Sequence, residues 1–225
     1  YEELFGKDLI GITLYGSASG ADYRPGKSDI NFMIVLSEDG IEHLDRAFDV
    51  VRKWRKRNVA IPLFLTEAYV ERSLDVFPIE YLNLQHEYIL VYGNDVLKDL
   101  EPDPRHIRLQ CEREIKGKLL LLREAYLETG GKGKALKEVM VQSLPAFIAI
   151  FKALLLLKDQ EPPKNRLEVI RNACEAFDLD AVAFERTFHI KTEKEKLSDQ
   201  ELSETFTAYL KEVRKLSKIV DAMGG

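Results

Sequence analysis

Cysteine is scarce in this chain: 225 residues hold two, Cys111 and Cys174, far apart in sequence. That excludes a disulfide framework and a cysteine-rich zinc motif, and His106 with Cys111 is too sparse a set to suggest a metal pair. Both cysteines are expected in helix cores, in a reducing, cytoplasmic setting. A basic surplus is lacking too. The 33 Lys and Arg against 38 Asp and Glu leave a formal net charge of −5, which argues against general nucleic-acid binding, because such binders carry a basic excess over a whole face. The densest basic cluster, Arg52 to Arg57 around Trp54, reads as the solvated end of a helix. Uninterrupted hydrophobic runs are also missing. The most apolar stretch, Val139 to Leu157, contains Gln142, Ser143, Pro145 and Lys152, so it reads as a buried bundle helix rather than a membrane span. The visible start shows no charged-then-apolar leader pattern. It opens on Tyr1 rather than Met, which leaves room for further native residues before it. Repeats and low-complexity tracts are absent.

The rest is an ordinary globular mix, 45% hydrophobic and 32% charged, long enough for one large domain or two small ones. The first half alternates. Ile10 to Tyr15 is a β-favouring run ended by Gly16, and residues 18 to 28, with Gly20, Pro25 and Gly26, form a loop. Ile30 to Leu36 is a second strand. A helix over Ile41 to Arg55 is expected to bury Leu44, Phe48 and Val51. Val59 to Leu65 is a third strand, and Pro62 inside it points to an edge strand or a strand with a bulge. Thr66 caps a helix running toward Leu74, Pro78 opens another, and Tyr88 to Tyr92 is a fourth strand closed by Gly93-Asn94. After Pro102 and Pro104 no strand pattern remains. Ile107, Cys111, Ile115, Leu119, Leu122 and Tyr126 make one helical stripe, ended by Gly130, Gly131 and Gly133. A second helix spans Ala135 to Lys158. A third starts at Pro162-Pro163 with Leu167, Ile170 and Phe177 on one face. The alternating charges of Lys191 to Lys196 read as a solvated connection. Ser198 and Glu201 form a capping box for the last helix, whose stripe runs from Leu202 through Phe206, Tyr209, Val213 and Leu216 to Val220. That stripe completes either the domain's own core or an interface with a second copy or a partner protein. The expected architecture is α/β (α+β): a small mixed-sheet domain over residues 1–100, then an all-helical bundle over 101–225.

The informative constellation is Leu14-Tyr15-Gly16-Ser17 followed by Ser28-Asp29-Ile30-Asn31-Phe32. Gly16 lets the backbone approach a ligand, and amide N–H groups near Ser17, with its hydroxyl, suit a phosphate. On the returning strand, residues 29 and 31 share a face while Ile30 and Phe32 point the other way, into the core. Here the chain resembles the nucleotidyltransferase superfamily, the fold of DNA polymerase beta and of aminoglycoside nucleotidyltransferases, over about Leu9 to Tyr92. The family pattern is a Gly-Ser pair, a loop, then two carboxylates flanking one apolar residue. The resemblance implies a nucleoside triphosphate held at Gly16 and Ser17, with Arg24 and Lys27 on the loop as phosphate-neutralising candidates. It also implies three carboxylates and two Mg²⁺ ions.

The metal set is depleted. Asp29 matches the first carboxylate, Asn31 stands at the second, and Val59 to Leu65 offers no third; Asp75 and Glu80 are the nearby candidates, along with Glu67. Mg²⁺ wants near-octahedral oxygen ligands. Losing one negative contact to a divalent ion forfeits a gross attraction on the order of 10 kcal/mol at an effective dielectric near 20, much of it offset by desolvation. The expectation is a nucleotide-binding pseudoenzyme with weak Mg²⁺ binding at Asp29 and Asn31 and little or no transferase activity. The alternative is an active Mg²⁺-dependent enzyme that moves a nucleoside monophosphate to a hydroxyl of a small molecule, protein or RNA. A third reading puts RNase chemistry in the helical half. It is disfavoured, because Arg186 and His189 lie closer together than the pattern of such bundles.

Overall fold

The computed structural model describes residues 1–20, 23, 25, 26 and 28–223. The fold is α+β, in two compact units, Tyr1–Asp103 and Pro104–Gly225. The first opens with a short helix α1 (Glu2–Phe5) and strand β1 (Leu9–Tyr15). After the Gly16–Ser19 turn come β2 (Asn31–Leu36), α2 (Glu38–Ile41), α3 (Phe48–Arg55), β3 (Leu63–Thr66), α4 (Glu67–Arg72), α5 (Pro78–His86) and β4 (Tyr88–Gly93). The four strands form one sheet in the order β3-β2-β1-β4. β1 runs antiparallel to both β2 and β4, and β3 runs parallel to β2.

Alternation along β2 divides the core of this unit between the two faces of the sheet. Met33 and Val35 pack on one side with Leu65, Val70, Tyr81, Leu84 and Leu97. Ile34 and Leu36 pack on the other with Phe5, Leu9 and Ala47. The caps follow the sequence. Thr66 accepts a hydrogen bond from the Tyr69 amide at 3.1 Å, and Pro78 occupies the first turn of α5, where a missing N–H costs nothing. Pro62 ends the third strand early on its N-terminal side: β3 starts at Leu63, and residues before it keep only an isolated bridge, Ile30 to Val59. As expected, it is an outer strand.

The expected helix over Ile41 to Arg55 is broken. His43 leaves the helical region (φ −118°, ψ 38°), and a 3₁₀ turn over Leu44–Ala47 precedes α3. The tighter turn advances the side-chain phase, so Leu44, Ala47 and Val51 face the core. Phe48, expected inside, is 65% exposed. Phe32 is half-buried and lines a cleft rather than the packed core.

The second unit contains α6 (Pro104–Thr129), α7 (Gly133–Leu156), α8 (Arg166–Ala176), α9 (Val182–Lys191) and α10 (Asp199–Ala222), and among its described residues there is no strand. α7 is long and apolar enough to cross a membrane by length and composition. Here it is the central helix, packed against α6, α8, α9 and α10, with Leu136, Met140, Leu144, Phe147 and Phe151 fully buried. Phe147, Phe151, Phe184 and Tyr209 form an aromatic cluster with ring centroids 4.7–6.4 Å apart. The Tyr209 hydroxyl is 2.9 Å from Ser143 Oγ, so its one polar atom is satisfied inside the core.

The stripe of α10 is buried in this unit's own core, including Phe206 and Tyr209. Its capping box is present, with the Ser198 hydroxyl and the Glu201 carboxylate each serving the other's backbone N–H. The α6 stripe is buried from Ile107 to Leu122. Tyr126 lies outside it, half-exposed and stacked on Phe206. α8 begins at Arg166 rather than at Pro162-Pro163, because Asn165 supplies the cap by accepting from the Leu167 and Glu168 amides. α9 has no counterpart in the sequence reading. Its buried positions, Ala183, Phe184, Thr187 and Ile190, mix small and polar residues and leave a weak apolar stripe.

Candidate functional site at the Gly16 end of the sheet

Tyr15 pairs with Asn31 on one side and with Tyr88 on the other. This row sets the C-terminal end of β1 beside the N-terminal ends of β2 and β4. Gly16 follows with φ 77°, a backbone conformation that favours glycine, and turns the chain into the 3₁₀ segment Gly16–Ser19. The Asn31 amide nitrogen lies 3.4 Å from where a Cβ on Gly16 would stand. A side chain at residue 16 would therefore stand in van der Waals contact with the Asn31 amide, and the positive φ, more than lack of space, is what favours glycine here.

Ile30 continues the strand direction before β2. Its N–H donates to the Asn58 carbonyl at 2.9 Å, and its own carbonyl accepts from the Ala60 N–H at 2.9 Å. Asp29 precedes Ile30 outside any strand and is exposed. Of the expected site residues, Gly16 and Asn31 are in direct proximity. Ser17 follows in the same turn, and Asp29 lies two residues before Asn31, ahead of β2. Arg24 and Lys27 lie outside the described residues. Asp75 and Glu80 are exposed, Asp75 in the turn before α5 and Glu80 on it.

The sequence reading missed Glu87. A Cβ built on Gly20 would fall on the Glu87 carboxylate, so that side chain rests against the glycine at the end of the turn. The Ser19 hydroxyl ties the same two segments together. It lies 2.7 Å from the Gly16 carbonyl and 2.9 Å from the Glu87 carbonyl and shares its hydrogen between them. No motif spacing links residue 87 to residues 16–31; only the pairing of β4 with β1 does. Tyr88, next in the chain, donates to Asp95 Oδ2 at 2.8 Å. Burial and that bond raise its phenol to about 12, so it stays protonated near neutrality. Burial likewise raises the Tyr15 phenol. Both rings pack against the core cluster around Met33 and Val35.

Asp29 contributes a carboxylate and Asn31 a neutral carbonyl oxygen. Among the described residues, no three of His, Cys, Asp and Glu gather closely enough to hold a metal ion. This donor set does not fit a two-ion centre built from protein ligands alone. The arrangement can offer amide N–H groups and hydroxyls at an open turn, with carboxylates on its rim.

In the second unit, Arg186 Nε lies 4.0 Å from Glu195 Oε1, and His189 Nδ1 is buried without a hydrogen-bond partner. Cys111 and Cys174 are free and buried, and burial raises both thiols to about 12.

No protein-family model matches this sequence, and a search of curated proteins returns no match.

Proposed function

We propose that the first unit is a nucleotide-binding module of nucleotidyltransferase type, with a depleted metal set and weak or no transferase activity. The observation that carries this reading is the Asn31 amide nitrogen, 3.4 Å from the position a Cβ would take on Gly16. It sets the turn that would receive phosphates beside the strand end that carries the residual metal-site positions, Asp29 and Asn31. In this reading, Gly16 and Ser17 offer backbone N–H and hydroxyl donors to phosphate oxygens, and Arg24 and Lys27 supply neutralising charge. Any Mg²⁺ would arrive with the triphosphate and draw most of its ligands from it and from water, since the chain offers one charged and one neutral oxygen donor there. The two buried thiols agree with a reducing cytoplasmic setting.

The test is calorimetric titration and thermal shift with nucleoside triphosphates, with and without Mg²⁺, on the wild-type chain and on Asn31→Asp. We expect metal-dependent stabilisation of the wild type and tighter Mg²⁺-nucleotide binding by Asn31→Asp. Absence of any nucleotide response in both proteins overturns the reading. Metal-dependent release of pyrophosphate by the wild type would replace the silent module with the active transferase.

A further inference from the structure

α6 buries one side in the bundle, through Ile107, Cys111, Ile115, Leu119 and Leu122. Its opposite side carries a second apolar stripe. Leu109 is 52% exposed, Leu120 58% and Leu127 79%. Leu127 stands 18 residues after Leu109, which is five turns of an α-helix, so these side chains line up along about 27 Å of the helix with Leu120 between them. A lone exposed leucine needs no explanation, but an aligned row of them marks a contact surface.

The middle of this face is a notch. Gly117 sits inside the helix, where glycine costs stability relative to alanine. It is exposed, and a Cβ built on it would meet nothing within 4 Å. The packing of the bundle therefore does not call for glycine there. The lysines on either side are drawn away from it. Lys116 donates to Glu112 at 2.5 Å and to Asp221 at 2.7 Å, and Lys118 donates to Glu114 at 3.1 Å.

The outward positions around the notch are Arg113, Gly117, Leu120 and Glu124, all exposed and spaced by four, three and four residues. That is the interval pattern of a helix–helix seam, and it is symmetric about the midpoint between Lys118 and Leu119. An antiparallel copy of α6, laid on this face about a two-fold axis at that midpoint, seats its Leu120 over Gly117 and receives Leu120 over its own Gly117. Arg113 then faces the second copy's Glu124, and Glu124 faces its Arg113. Leu109 falls beside the second copy's Leu127, within one residue of register. At the four facing positions no like charges meet. A leucine opposite a gap and a cation opposite an anion, each matched twice by the same sequence, identify the occupant as this chain itself.

We infer that the outer face of α6 is a dimerisation surface, on which a second copy packs its own α6 antiparallel with Leu120 of each copy in the Gly117 notch of the other. Such an interface is self-complementary, as two-fold symmetry demands, and the glycine lets the helix axes come close.

The experiment is sedimentation equilibrium of the full chain over a concentration series, with three variants. Gly117→Leu fills the notch at an open helix position, so the fold should persist with an unchanged or higher melting temperature. Its mass should be that of a monomer at concentrations where the wild type has twice that mass. Arg113→Glu and Glu124→Arg each set like charges face to face twice, and each should weaken self-association about tenfold at low ionic strength. An equimolar mixture of these two variants restores opposite charges at both contacts and should recover the wild-type mass. A wild-type chain that stays monomeric at every concentration overturns the inference and leaves the stripe to a different protein. So does a dimer that survives Gly117→Leu, or a mixture no heavier than its components, because each places the contact outside this register.

Discussion

The helical unit and the sheet unit close their apolar surfaces to different degrees. Each of α6 to α10 buries a run of residues, and the aromatic cluster at its centre is sealed. In the sheet unit the core is split between two faces, α3 buries none of its residues completely, and Phe48, Ile61, Leu63 and the β4 run are exposed. A cleft of about 270 Å³ between α3 and the sheet is lined by Ile12, Phe32, Val51 and Trp54. The difference teaches where each unit's sequence is committed. The bundle seals its central cluster and leaves Leu109, Leu120, Leu121 and Leu127 exposed only on the outer side of α6, whereas the sheet unit leaves parts of the sheet itself open.

The largest expected effect lies in the bundle. Phe184 is fully buried against Phe147, Phe151 and Tyr209. Phe184→Ala removes the ring and leaves a cavity, at a cost of about 3–5 kcal/mol, read from denaturant unfolding followed by helical ellipticity. A loss below about 1 kcal/mol would mean that the cluster collapses to fill the gap, and the contrast between the units would weaken. The same substitution logic does not extend to Trp54, the sole tryptophan, which lines the open cleft.

Acid should also act on the bundle. Glu112 accepts from Lys116 and from Arg108, at 2.5 and 2.7 Å, and these partners lower its carboxyl from 4.5 to about 2. A folded-state value below the unfolded one stabilises the fold at pH above about 4.5, and that contribution is lost as pH falls toward 2. The group is solvent-accessible, so the effect is a modest tilt screened by salt. Glu112→Gln should flatten the acid limb of the stability curve recorded at low ionic strength. An unchanged limb would show that the pair contributes nothing measurable.

The two units also differ in how far the chain announces them. In the bundle, α10 was legible from its capping box and its stripe, because both signals are local: a cap spans three residues and a stripe repeats every turn. α9 was not, since Ala183 and Thr187 hold inward positions by fitting against neighbours such as Met140, whose sulfur is 3.6 Å from the Thr187 hydroxyl, rather than by being strongly apolar. In the sheet unit, the β1–turn–β2 order was legible because Gly16 and the alternation of residues 29–32 constrain it. The break at His43 was not, because a 3₁₀ turn shifts phase without leaving a mark as plain as Gly or Pro. Glu87 beside Gly20 could not be read at all. That proximity depends on β4 crossing to pair with β1, a contact between residues 67 positions apart with no motif between them.

The smallest effect is the sharpest test of the contrast. Phe48 is large and apolar, yet 65% exposed, and the residues that α3 and its leading turn pack inward are Ala47 and Val51. If the phase set by the 3₁₀ turn is right, Phe48→Ser removes a ring that water already surrounds. Unfolding of the sheet unit, followed by Trp54 fluorescence, should then shift by no more than about 0.5 kcal/mol. A buried Phe at that position would cost several times more. A shift above about 2 kcal/mol would therefore mean that the ring is inside and that the regular helix over Ile41 to Arg55 describes the solution state. A negligible shift would leave Phe48 among the apolar groups that the sheet unit presents outward.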